Sequence, residues 1–192
     1  MTMPPSLKRL LADVYRNWSA TYVQRGDASH AIDASTRALT LNPELVDAYV
    51  NRAAAYEEQG DYEEAIADCD AALRINPKLE RAYLYRGISY FYAGDYADAL
   101  ADLNMAAYLK PQQSLAYVYR GMVSASLENL SAALSDYNTA IQHAPKDAVL
   151  YRLRGELYAR MGQTAAARRD YQRAVKLNPA MRAEVARLTD AL

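Results

Sequence analysis

The sequence predicts an all-α fold, a solenoid of helix-turn-helix units, and three observations carry that reading. Pro43, Pro77, Pro111, Pro145 and Pro179 recur every 34 residues without a break. Tyr15, Tyr49, Tyr83, Tyr117 and Tyr151 keep the same register, as do Ala38, Ala72, Ala106, Ala140 and Ala174. A fixed period of this length marks one supersecondary unit copied in tandem. No unit can bury its apolar face alone, so neighbours must stack. Hydrophobic residues make up 52% of the 192, enough to build one continuous core.

Counting from 31 residues before each proline gives five frames: 12–45, 46–79, 80–113, 114–147 and 148–181. In the third, Tyr83, Gly87 and Tyr90 lie at i, i+4 and i+7, one face of a helix. Gly94-Asp95 supplies turn chemistry that ends it. Ala99, Leu103 and Ala106 mark the inner face of a second helix, and Pro111 opens the next connection. Each frame therefore reads as a hairpin of two helices of roughly 14 residues. Residues 1–11 form an N-terminal segment that extends the first helix through Leu7, Leu10, Leu11 and Val14, with Ser6 as its expected cap. Residues 182–192 read as a capping helix with Val185, Leu188 and Leu192 turned inward, so both ends look finished.

The aromatic, small, aromatic, glycine, alanine, alanine and proline positions of repeat 2 are Tyr49, Ala53, Tyr56, Gly60, Ala65, Ala72 and Pro77. This pattern resembles the tetratricopeptide repeat family over residues 12–181, and the resemblance implies a right-handed superhelical solenoid. A 35-residue RNA-reading repeat would drift by one residue per unit and would normally be basic; the net charge here is −1. Repeat 1 departs from the pattern at Ser19 and Ser35. Repeat 4 places Glu128 where the turn glycine belongs and Ser124 where an aromatic belongs. A turn needing positive φ disfavours Glu, so a looser hairpin is expected there.

Arg52, Arg86, Arg120 and Arg154 recur with Asp68, Asp102, Asp136 and Asp170, while repeat 1 lacks both and has Trp18 and Ala34. Joint presence and joint loss predict an ion pair within each repeat in preference to an anion site. The resemblance implies that first helices line a concave, partner-binding surface. The stripe opposite the inner face of repeat 3 holds Arg81, Leu84, Tyr85, Ile88, Phe91 and Tyr92. In repeat 4 it holds Leu115, Val118, Tyr119 and Met122. A solvent-facing stripe this apolar predicts a groove for an apolar helix or extended peptide. Charge is uneven along the chain: frame 46–79 has 3 basic and 8 acidic residues, or −5, and residues 148–192 have 9 and 4, or +5.

The function expected is that of a protein–protein interaction scaffold or adaptor. Two alternatives stand beside it. One is a self-associating structural module, hence a homo-oligomer. The other is a co-chaperone-like adaptor, because family members that bind C-terminal carboxylates use a clamp. Its basic, Asn and basic places are matched by Arg16, Asn51 and Arg81, while its remaining places hold Ala20 and Tyr85. No catalytic set, cofactor or metal site is expected. His30 and His143 stand far apart, Cys69 is alone, and Glu63-Glu64 falls at an exposed helix start. Near-neutral charge gives no reason to expect nucleic acid as a partner, and the absence of a long apolar run gives none for a membrane. Together with the lone cysteine and the lack of a signal-like N-terminus, this predicts a soluble, cytoplasmic protein.

Overall fold

The computed structural model describes residues 3–191, and all regular structure among them is helical. The helices group into two compact units that divide between Leu109 and Lys110. The first contains α1 (Pro5–Gln24), α2 (Ala28–Leu41), α3 (Val46–Gln59), α4 (Tyr62–Ile75), α5 (Glu80–Ala93) and α6 (Tyr96–Leu109). The second contains α7 (Ser114–Ser126), α8 (Leu130–His143), α9 (Ala148–Arg160), α10 (Thr164–Leu177), a 3-10 turn at Pro179–Met181 and α11 (Arg182–Asp190). Each odd-numbered helix from α1 to α9 packs on the helix that follows it. In the first unit α1, α3 and α5 also pack side by side.

Turn chemistry explains the breaks. Gly26, Gly60, Gly94 and Gly162 all have positive φ, a conformation glycine adopts without a Cβ penalty. Between hairpins the recurrent tyrosine fixes the connection: the Tyr83 hydroxyl donates to the carbonyl of Pro77 at 3.2 Å, and that of Tyr151 to Pro145 at 3.0 Å. The chain enters α1 at Pro4 with no side-chain cap. Ser6 is therefore the second helical residue and does not cap α1, because the helix starts one residue earlier at Pro5, whose fixed φ suits the first helical position. In α11, Val185 is buried beside Ala167 and Tyr171, and Leu188 packs on the same cluster. Leu192 lies outside the described residues.

Inside the hairpins the two contact positions trade size. The first helix offers Ala53, Gly87, Gly121 and Gly155, and the second answers with Cys69, Leu103, Tyr137 and Tyr171. A Cβ on Gly87 would come within 2.9 Å of Leu103; one on Gly155 would come within 2.6 Å of the Tyr171 ring. Repeat 1 uses two small polar residues, Ser19 and Ser35, both fully buried. The departures in that repeat therefore satisfy the same volume rule at a different split.

Candidate functional site

The recurrent arginines belong to the frame of the molecule. Arg52 grips both Asp68 oxygens at 2.7 Å, Arg86 those of Asp102 at 2.6 and 2.8 Å, and Arg154 those of Asp170 at 2.7 and 2.9 Å. Arg120 and Asp136 pair in the same way. The four aspartates are 5–7% exposed, and each guanidinium also lies over the tyrosine three residues earlier. Hydrogen bonds donated to the aspartates raise the arginine pKa values, against a smaller opposing effect of burial. Sequence reasoning missed a third partner from the preceding hairpin. The free Nη1 donates to Thr36 Oγ1 from Arg52 at 2.9 Å, to Asp70 from Arg86, and to Asn138 from Arg154 at 2.7 Å. The signal was present in the chain: an acceptor stands 16 residues before each of these arginines. Each such arginine thus closes its own hairpin and fastens it to the one before.

A different face of the odd helices carries the variation. In the first unit Arg16, Asn51 and Arg81 converge on a cavity of about 230 Å³ that Asn17, Ala20 and Asp47 also line. Asn51 is 3% exposed; it donates to Ser19 Oγ at 2.8 Å and accepts from Arg81 at 3.3 Å. The Asp47 carboxylate lies between the two cations, one oxygen 3.8 Å from Arg16 and the other 3.9 Å from Arg81. Arg16 leans on Asp13 as well, at 3.4 Å. The three clamp-like residues are therefore brought together, with a carboxylate of the chain itself among them.

In the second unit the corresponding face is apolar. Leu115 and Val149 are 41% and 42% exposed, with Tyr119, Met122 and Leu153 half-buried beside them on α7 and α9. The charges bordering this face are paired internally. Arg152 binds Glu156 at 2.5 Å and approaches Glu184 of α11 at 3.4 Å. Arg160 reaches back to Glu128 at 2.9 Å and donates to the Ala125 carbonyl at 2.8 Å. Glu128 does adopt positive φ, at 58°.

Three of the residues expected on an open surface are not on one. Leu84 and Ile88 are each 2% exposed and Val118 is 7% exposed. The physical reason is visible at equivalent positions. Val50 of α3 lies in one cluster with Ala82 and Tyr85 of α5, and Val118 in one with Leu150 and Leu153 of α9. This position inserts between successive first helices. Arg81, Tyr85 and Phe91 are half-buried on α5, and Tyr92 is 45% exposed, its ring stacked on Tyr62 at 5.2 Å.

Among the remaining chemically capable groups, Cys69 is fully buried, and desolvation pushes its thiol pKa far above the ordinary range, so it is an inert core residue. His30 belongs to the α2 cap, its ring nitrogen 2.9 Å from Asp27. Among the described residues no group of three or more His, Cys, Asp or Glu could hold a metal, and no helix is long and apolar enough to cross a membrane.

Sequence comparison matches the tetratricopeptide repeat family over residues 46–79, 86–153 and 148–180. No curated protein matches the sequence. Many solved structures share the fold. A thermophilic TPR protein of Thermus thermophilus aligns with a TM-score of 0.79 at 20% identity, over 91% of this chain and 97% of that one. PilF of Pseudomonas aeruginosa aligns with 0.79 at 19% identity, over 89% and 78%. YrrB, a TPR protein with an unusual peptide-binding site, aligns with 0.70 at 22% identity, over 93% and 91%. Family match, helical hairpins and shared fold agree, and the chain is a member of the tetratricopeptide repeat family, whose units serve as protein-interaction scaffolds.

Proposed function

We propose that this protein is an adaptor that holds a segment of a partner protein against the variable face of its first helices. The apolar patch of Leu115, Tyr119, Met122, Val149 and Leu153 in the second unit is the principal contact; Arg81, Tyr85, Phe91 and Tyr92 on α5 are a separate candidate contact of the first unit. One observation carries the reading: two large aliphatic side chains, Leu115 and Val149, stand more than two-fifths exposed at the same position of consecutive repeats. Water-facing helix positions are ordinarily polar, so repeated exposure of this kind marks a surface meant to be covered. The partner segment it fits is an amphipathic helix or extended peptide with apolar anchors. YrrB, with its unusual peptide-binding site, is a precedent within the fold. Affinity capture followed by mass spectrometry should identify a partner that is lost from the double variant Leu115→Glu, Val149→Glu, with helix content unchanged. Undiminished capture by that variant would refute the patch.

Recognition of an acidic C-terminal carboxylate, the co-chaperone-like alternative, is a second reading, favoured by the convergence of Arg16, Asn51 and Arg81. On this reading Asp47 competes with the incoming carboxylate. Asp47→Asn should then strengthen binding of a peptide with a free C-terminus, and Arg81→Ala should abolish it.

A further inference from the structure

The exposed large apolar side chains of this molecule are unevenly spread, and Met3, Leu7, Leu10 and Trp18 fall together at the start of the first unit. Leu7, Leu10 and Trp18 share one stripe of α1. At 100° per residue, Leu7, Leu10, Leu11, Val14, Trp18 and Thr21 all fall within a sector about 100° wide. That stripe is neither the core face, where Ala12 and Ser19 are fully buried, nor the polar face of Asp13, Arg16 and Asn17.

The repeat identifies what this third face is. Val14, Trp18 and Thr21 are the repeat 1 counterparts of Ala48, Arg52 and Ala55 in α3, and of Ala82, Arg86 and Ser89 in α5. Those alanines and Ser89 are fully buried, and both arginines reach the preceding hairpin through Thr36 and Asp70. This is therefore the stacking face, which a preceding repeat covers elsewhere. On α1 no described element covers it. A solenoid end that meets water is expected to be polar. Here the changes go the other way, from alanine to Val14 and from arginine to Trp18, and the helix is lengthened by Leu7, Leu10 and Leu11.

We infer that the α1 stacking face is a dimerisation surface that pairs with the same face of a second copy of this chain. Two features select that occupant. Pairing head to tail needs an open stacking face at the other end, and in the second unit α11 covers it, with Val185 seated on Ala167 and Tyr171. The α1 face is also self-complementary. Its central residues are spaced four, three and four apart (7, 11, 14, 18), so two antiparallel copies place Leu7 opposite Trp18 and Leu11 opposite Val14, twice over. A two-fold interface requires this reciprocity.

Trp18 is the sole tryptophan, so its fluorescence reports on this face alone. Sedimentation or light scattering on the full chain should give a mass that rises with concentration to twice the monomer, and Trp18 emission should shift to the blue over the same range. Leu7→Glu combined with Leu10→Glu, two exposed positions, should give a monomer at every concentration with unchanged helix content and no emission shift. Three results would overturn the inference: a wild type that stays monomeric, a double variant that still dimerises, or a Trp18 shift that needs anionic lipid vesicles while the mass stays monomeric. A negative outcome leaves the partner patch on α7 and α9 untouched, since no residue is shared.

Discussion

Two regions built on one plan differ most where the plan leaves them free. The second position of the five frames is Asp13, Asp47 and Arg81 in the first unit, then Leu115 and Val149 in the second. The sixth position runs Asn17, Asn51, Tyr85, then Tyr119 and Leu153. The first unit satisfies its face internally, through Arg16, Asp47, Asn51 and Arg81, whereas the second leaves aliphatic side chains in water. The buried arginine–aspartate pair, by contrast, is the same in both. Stacking fixes one set of positions in repeats 2 to 5 and leaves another free to vary.

If the frame is common to both units, breaking it should cost both heavily. Arg86→Ala and Arg154→Ala should each destabilise by about 3–5 kcal/mol, because each strands a buried carboxylate. Arg86→Ala should be the worse, since it leaves Asp70 as well as Asp102 unpaired while Arg154 has the neutral Asn138 in that place. Chemical denaturation of the single variants and of Arg86→Ala, Asp102→Ala together measures the coupling. Independent, additive effects would show that the pair holds nothing together.

The size trade inside the hairpins should separate the units at an intermediate level. Gly155→Ala pushes a methyl group against the Tyr171 ring, an overpacking expected to cost about 1–3 kcal/mol. Gly87→Ala meets the aliphatic Leu103 side chain at Cγ, at 2.9 Å and not against a rigid ring, and should cost less, read as the smaller fall in Tm. Equal losses would mean that the contact pair does not set the hairpin spacing.

The smallest effect is expected at the one described turn where a non-glycine residue holds positive φ. Glu128→Gly relieves backbone strain of about 1 kcal/mol and loses an exposed ion pair worth less than about 1 kcal/mol, so a small gain in Tm is expected. A fall in Tm would show that Arg160 contributes more through Glu128 than through the Ala125 carbonyl.

The sequence made the hairpins and the arginine–aspartate pairs legible because both are periodic, and repeat 1 loses Arg and Asp together. The open face was only half legible. Leu84 and Ile88 share a helical stripe with Tyr92, and periodicity within one helix cannot tell a side chain turned to solvent from one wedged against the next helix. Only the spacing between helices decides that, and it is a property of the stack. Asp47 was legible as a charge but not as the carboxylate between Arg16 and Arg81, since that requires three helices in place. The stacking face of α1 was written in the change from Arg to Trp18, and its exposure needed the neighbouring repeats for comparison.

Hydrogen exchange of the whole protein with and without its captured partner tests the central claim most directly. Slowed exchange confined to the odd-numbered helices, strongest along α7 and α9, is the predicted result. Protection centred on α8 and α10, with α7 and α9 unchanged, would contradict it.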